Sequence, residues 1–485
     1  FHVASNKHAT LAFEGSNLEW TAPFSIDNIG NVYLRMVRDD EPQHLIQVDV
    51  QIQGPTIFVR LLPSEGAWPF LLRNETHHTI VFMQTGSSTE AQLSSRDTNP
   101  KRYVLKPRSK MKYAWDYPAD ADKYIRLQIN GSERVINILE IGSLLPFKFA
   151  ALDDLPAGVV SLDVRADETT QVLVISDYSE SKSNFKVLRE SGPSTNPDIK
   201  FKAVDVDTSI LFAFNIELVG VGISFISHKV REIAYVTFRG LELSYSESQV
   251  TTAVNVICKW IQIDNQTPRS IFPIVLYPTV VPKDGKELDV HPTLQASVIR
   301  KKDESHGVRH IKYASILLQE LTTELDEDFL FAIYDFVRAS GVEVEKEHDE
   351  TVYIENPNDL PEPPIQAVDT DQVYIEILHL QPIALNLSFM STDHDEADET
   401  ESSRTLFFYI FNMLTMVLGN VNEAPVRLNA LVIENVRLSK QVLLNRVAYH
   451  YGQGVLFQVH RILGSADFLG NPVGLFNNVS SGVAD

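Results

Sequence analysis

The stretch ILFAFNIELVGVGISFISHKVREIAYVTFRGLELSYSES, residues 210–248, decides the fold. It holds long strand-like runs with only short breaks. In its second half Ala234, Val236 and Phe238 form one apolar set. The opposite parity, Ile233, Tyr235, Thr237, Arg239, Leu241, Leu243 and Tyr245, is mixed. Period two is the signature of a strand with two unlike faces. The pattern continues through TTAVNVICKWIQIDNQ (251–266), IFPIVLYP (271–278) and HIKYASILLQELTTEL (310–325). Strands of this kind must bury one face against something. Helices, the usual cover, are scarce.

The remainder is also mostly strand. HLIQVDVQIQGPTIFVRLLP (44–63) alternates on both sides of Gly54-Pro55, and YIRLQINGSERVINILEI (124–141) turns at Asn130-Gly131, a hairpin signal. An internal echo relates residues 46–59 to 160–174, aligning Asp49 with Asp163, and each copy follows a Pro-Phe step. A repeat of this length made only of strands implies an array of similar β-modules. Three helices are expected. The first, DEDFLFAIYDFVRASG (326–341), has Asp326 as its cap and Gly341 as its stop. The second covers about 404–418. The third, about 440–463, carries the stripe Leu443, Val447, Tyr451, Val455, Val459 and Ile462.

The fold class is therefore mainly β with a few helices: β-repeat modules followed by an extended β-sheet groove capped by amphipathic helices. The expected divisions are repeats over 1–178, a linker at 179–200, a groove segment with a helix at 201–345, an acidic Pro-rich linker at 346–370 and a final groove segment at 371–485.

A net charge of −22 over 485 residues argues against nucleic acid as a partner, which requires displacing phosphate counterions with Lys and Arg. The basic run KRYVLKPRSKMK (101–112) stands out against that background, and its simplest reading is a solvated strand edge. Cys258 is the single cysteine, read as a small buried hydrophobe in a reducing compartment. The longest apolar run, 406–419, is shorter than the ~20 residues needed to span a bilayer.

No P-loop, nucleophile elbow, HExxH or spaced Cys/His set is present, so no enzymatic activity and no resident cofactor or metal is expected. The acidic segment 391–403 lacks the Gly and Glu of a calcium loop. The segment LLRNETHHTIVF (71–82) leaves three readings open: a glycan acceptor, a metal site, or β-structure with a special asparagine. Five sequons (Asn74, Asn130, Asn265, Asn386, Asn478) occur without any disulfide framework. On a strand, His77 and His78 point to opposite faces and cannot share an ion.

Several segments in fixed order resemble the C-terminal region of the vacuolar protein sorting-associated protein 13 family. They are PFSIDNIGNVYLRM, WPFLLRNETHHTIVFMQ, LKPRSKMKYAWDYP, ERVINILEIG, GVGISFISHKVREIAYVTFRGLELSY, WIQIDNQ, FPIVLYP, ELDEDFLFAIYDF and the closing GSADFLGNPVGLFNNVSSG. The resemblance implies a bridge-like lipid transfer protein, peripheral at membrane contact sites of endosome, vacuole or mitochondrion in the cytoplasm. Its partners would be Pro-x-Pro-containing membrane adaptors, the membrane surface and glycerophospholipids, the last as transported ligand. Asn74 matches the asparagine characteristic of the family's adaptor-binding repeats, with Ile57, Val59, Leu61, Val172 and Val174 as further residues of those repeats, and one open strand edge within 16–178 would receive the peptide. Val236, Phe238, Ile383, Leu385, Leu387 and Phe389 would line the lipid groove. The alternative is a structural β-scaffold without bound lipid, whose helices dock other proteins. Pro361-Glu362-Pro363 itself resembles an adaptor peptide, and its expected role is a linker or a pseudo-ligand.

Overall fold

The structure is a computed structural model that describes residues 2–3, 7–12, 20–26, 30–36, 44–53, 56–63, 68–86, 101–152, 155–188, 200–204, 209–227, 230–268, 270–280, 291–339, 372–390 and 421–458. The expected helix at 404–418, the Pro361-Glu362-Pro363 segment, the acidic segment 391–403 and the closing motif lie outside these residues.

Strands β1 (His2–Val3), β2 (His8–Thr10) and β3 (Phe24–Ser25) form a small sheet. The meander β4 (Gly30–Met36), β5 (His44–Gln53) and β6 (Thr56–Pro63) forms a second, and the two share a core around Phe24, Leu34, Val48 and Val50.

A β-sandwich follows, built from β7 (Phe70–Asn74), β8 (Ile80–Thr85), β9 (Tyr103–Leu105), β10 (Ser109–Tyr113), β11 (Tyr124–Ile129), β12 (Ser132–Ile136), β13 (Gly142–Phe149), β14 (Gly158–Asp167) and β15 (Thr170–Asp177). Its sheets run β10-β7-β15-β14-β13 and β12-β11-β8-β9. Alternate residues point inward from both, including Phe70, Leu72, Phe82, Leu127, Leu162 and Ile175. Asn130 and Gly131 both have positive φ (47° and 75°) and close the β11–β12 hairpin, as a two-residue turn requires.

The echo in the sequence is a structural repeat. In β4–β5 Gly30 opposes Val50 and Asn31 opposes Asp49; in β13–β14 Gly142 opposes Val164 and Ser143 opposes Asp163. Gly30 and Gly142 share a backbone conformation with φ of +121° and +139°, which a side chain would strain.

Strands β16 (Phe185–Leu188) and β17 (Lys200–Ala203) pair across part of the expected linker. The large sheet has eleven strands: β18 (Ile210–Ile226), β19 (Glu232–Ser248), β20 (Thr251–Asn265), β21 (Ile274–Pro278), β22 (Leu294–Lys301), β23 (Arg309–Leu318), β24 (Leu321–Asp326), β25 (Gln372–Leu380), β26 (Ile383–Met390), β27 (Val421–Leu428) and β28 (Leu431–Ser439). The sheet forks at β20. The first half of that strand, Thr251 to Cys258, pairs with β22 and leads to β23, β25 and β28. Its last residues, Ile263 and Asp264, pair with β21 and lead to β24, β26 and β27.

Two helices are seen among the described residues, α1 (Glu327–Ala339) and α2 (Lys440–Leu456). Asp326 caps α1, its Oδ1 accepting from Phe329 N at 2.8 Å, and Ser439 Oγ caps α2 through Val442 N at 3.4 Å. The stripe expected on α2 is the face that packs: Leu443, Val447 and Tyr451 lie on β25 and β28, and Tyr451 and Val455 on β26 and β27.

The sandwich and the forked sheet meet directly. Ala166 N donates to His306 O at 2.8 Å, His306 Nε2 lies 3.2 Å from Asp163, and Arg437 donates to Thr170 O at 3.3 Å. Val308, just before β23, and Tyr374 of β25 are buried in the sandwich core.

Candidate functional site

The register of the forked sheet assigns its faces, because residues paired across neighbouring strands project to the same side. Beginning at the β18 edge, Leu218, Leu241 and Cys258 make one rung, Ile216, Leu243 and Val256 the next, and Phe214, Tyr245 and Val254 a third. The same face continues through Leu294, Ala296 and Val298 on β22, then Leu318, Ile316 and Ala314 on β23. It ends at Leu378 and Leu380 on β25 and Ile433 and Leu431 on β28. The reverse face carries Asn215, Glu217, Glu242, Ser244, Asn255 and Gln295.

Among the described residues, only the β25–β28 end of this apolar face is covered, by α2. Toward β18 it lies open: Phe214 is 39% exposed, Ile216 42%, Val298 40% and Ile316 46%. Cys258 is buried on it, which raises the pKa of its thiol. A contiguous apolar surface across several strands, left uncovered, marks a ligand or partner surface.

Val236 and Phe238 lie on the other parity, with Ile223, Ile263, Val221 and Ile261. The change of parity falls at Gly240, which adopts φ +60°, and Val219 and Lys259 mark it on the adjoining strands. Helix α1 covers the Phe225, Ala234 and Ile263 part of that patch, while Val236 and Phe238 remain half-buried beside it.

Ile383, Leu385, Leu387 and Phe389 occupy a different setting. They face Leu428, Val426, Ala424 and Val421 across β26–β27 and pack under Tyr451 and Val455 of α2, with Phe389 fully buried. Strand β27 and helix α2 thus pack against these four residues, of which Ile383, Leu385 and Leu387 stay partly exposed. Tyr451 touches the clusters of both branches, so the two apolar faces converge on one helix.

In the adaptor-type region Asn74 is 1% exposed. Its Nδ2 donates to His78 O at 2.8 Å, Lys106 O at 3.0 Å and Leu105 O at 3.4 Å, while its Oδ1 accepts from Thr76 N at 3.0 Å and Thr76 Oγ1 at 2.7 Å. One side chain thus ties the end of β7 to its following turn and to the β9–β10 connection. Asn265 repeats the device with Thr267 N at 2.9 Å and Thr267 Oγ1 at 2.6 Å, and its amide donates to Asp326. Both sequon asparagines are consumed inside the fold. The two histidines diverge: His77 lies exposed against Arg108, and His78 packs edge-on against Phe149.

Strand β6 is an open edge of its sheet among the described residues, with Ile57, Phe58 and Leu61 exposed and Val59 packed inward. Val172 and Val174 differ. They sit on β15, which is bonded on both sides by β14 and β7, and both are buried; a strand with two partners has no edge to offer a peptide. The sequence reading did not single out a cleft of about 240 Å³ lined by Trp20, Leu34, Trp115, Tyr117 and Pro118. Its floor is a buried Arg35–Asp116 pair, with the Tyr103 hydroxyl donating to the same carboxylate at 2.6 Å. Burial pushes Asp116 up in pKa, against the pull of Arg35.

A β-repeat module with an open edge is thus joined to a forked sheet whose apolar face lies open toward β18 among the described residues. Residues 1–122 match the family model described as the vacuolar-sorting associated protein 13 adaptor binding domain. Over 99% of its length the chain is 43% identical to intermembrane lipid transfer protein VPS13 of Chaetomium thermophilum. It is 25% identical over 96% of its length to intermembrane lipid transfer protein vps13A of Dictyostelium discoideum, and 25% identical over 67% to human intermembrane lipid transfer protein VPS13D. The chain belongs to the vacuolar protein sorting-associated protein 13 family. It spans 15%, 14% and 7% of the lengths of those three relatives.

Proposed function

We propose that this chain is part of a bridge-like lipid transfer protein acting peripherally at membrane contact sites. It holds glycerophospholipid acyl chains on the open face of β18, β19, β20, β22 and β23 and takes Pro-x-Pro segments of membrane adaptors along β6. The observation that carries the lipid half is the continuous apolar face, open toward β18 among the described residues. Each methylene an acyl chain buries there contributes about 0.8 kcal/mol, while the headgroup stays in water. We leave the branch β21-β24-β26-β27 out of this role, because α1 and α2 pack against its apolar side. No helix among the described residues is long and apolar enough to cross a membrane.

The adaptor half rests on the matched domain and on the open β6 edge, where an added strand gains main-chain hydrogen bonds and apolar neighbours. Titration of the chain with a Pro-x-Pro peptide tests it. Leu61→Asp weakens binding at least tenfold, while Trp20→Ala, in the aromatic cleft, changes it less than twofold. The reverse pattern moves the peptide to the cleft, and no binding at all removes the adaptor half.

A further inference from the structure

The basic run is more than a solvated edge. Residues 101–112 carry six cationic side chains and no carboxylate in a chain of net charge −22. The structure brings part of this run, with Arg73, to one end of the sandwich. Lys106, Pro107 and Arg108 form the exposed connection between β9 and β10. Lys110 is paired with Arg73 across β10 and β7, so their side chains leave the same face one rung from that connection. Arg108 Nη2 also lies 3.0 Å from His77 Nε2.

The arrangement is held rigidly and at a cost. Asn74 bonds the carbonyls of Leu105 and Lys106, Thr76 O accepts from Arg108 N at 3.3 Å, and Ser109 Oγ donates to Lys106 O at 2.6 Å. Arg108 is fixed at φ +54°, which disfavours any residue with a Cβ. Like charges opposed across two strands are destabilising, and the carboxylate paired with Arg73 is Glu75, 3.9 Å away on an exposed side chain. A turn locked by a buried asparagine therefore concentrates repelling cations on a projecting loop, and an anion would relieve the repulsion.

We infer that Arg73, Lys106, Arg108 and Lys110 form a docking surface for the anionic phospholipid headgroups of a membrane leaflet. Lys106 and Arg108 stand on the exposed connection with Arg73 and Lys110 beside it on β7 and β10, and the edge proposed for a peptide lies elsewhere, on β6. A projecting array of charge responds to surface potential, which an anionic leaflet supplies. The surface is separate from the apolar sheet face, so it orients the sandwich against a bilayer whether or not the sheet carries lipid.

Vesicle flotation of the whole chain tests the assignment. Phosphatidylcholine vesicles with and without phosphatidylserine are compared for the wild type, for Arg73→Gln/Lys106→Gln/Arg108→Gln/Lys110→Gln, and for the charge-preserving Lys106→Arg/Lys110→Arg. Each cation near an anionic surface favours binding by about fivefold, so removing four lowers partitioning onto phosphatidylserine vesicles by more than about 100-fold. The charge-preserving variant binds like the wild type, and wild-type binding falls as salt rises. The inference is overturned if the wild type binds neutral and anionic vesicles equally, or if the quadruple variant, melting with the wild type, still binds. It is also overturned if the chain binds poly-glutamate but not anionic vesicles.

Discussion

Replacing Asn74 by alanine removes four hydrogen bonds of 2.7–3.0 Å and one of 3.4 Å from a side chain that is 1% exposed. Two backbone groups, Thr76 N–H and the His78 carbonyl, lose the partner that Asn74 supplies, while the Lys106 carbonyl loses one bond and keeps the one from Ser109 Oγ. Thr76 is fully buried, so its N–H cannot turn to water, and an orphaned buried group costs about 1–3 kcal/mol. The two carbonyls are partly buried and recover some hydration. The expected loss is about 3–5 kcal/mol for the sandwich. Asn74→Asp should cost at least as much, since it keeps the acceptor toward Thr76 but sets a second oxygen against two carbonyls. Urea denaturation gives the free energy, and hydrogen-exchange mass spectrometry should show faster exchange in 75–79 and 105–109. A loss below about 1 kcal/mol, with unchanged exchange in both segments, would refute the view of Asn74 as the pin between them.

Three further outcomes follow from the geometry. Gly307 has φ +77°, and a Cβ there would lie 2.2 Å from Ala166 O; Gly307→Ala should cost more than about 2 kcal/mol and loosen the contact between sandwich and sheet, read as faster exchange at Ala166 and in 304–308. Burial pushes Asp163 up, but hydrogen bonds and charge from His306 and Arg165 outweigh it and hold the carboxyl at about 2. A depressed carboxylate stabilises the fold above its unfolded value and loses that contribution as pH falls, so on the order of 2 kcal/mol should vanish between about pH 4 and 2 and be missing in Asp163→Asn across the whole range. Phe389→Ala empties a fully buried site under α2 and should cost about 3–5 kcal/mol without altering lipid content; a fall in bound lipid would return β26 to the groove.

Much of the architecture is legible locally. Period-two runs gave the long strands, Asp326 announced the start of α1, and the four described residues of the α2 stripe are those that pack. The aligned Asp49 and Asp163 occupy the same rung of equivalent meanders. What escaped depends on partners distant in the chain. Asn74 meets carbonyls 31 and 32 residues onward, and Ile383 to Phe389 are covered by Tyr451 and Val455. Strand periodicity shows that a residue is on an apolar face but not what covers that face. Val172 and Val174 illustrate the same limit, because β15 has its second neighbour, β7, about a hundred residues earlier in the chain. Gly240 is subtler. The long strands change their apolar parity there, so Val236 and Phe238 lie on one parity and Leu241, Leu243 and Tyr245 on the other.

The central claim is that the open face from β18 to β23 is occupied by lipid. Native mass spectrometry of the purified chain tests it most directly, comparing wild type with Leu243→Asp/Val256→Asp, whose charges stand in the middle of that face. The account predicts phospholipid bound to the wild type at one or more copies per chain and lost from the variant while its fold persists. Wild-type chain free of phospholipid after expression in cells, or a variant that retains the full complement, would contradict it.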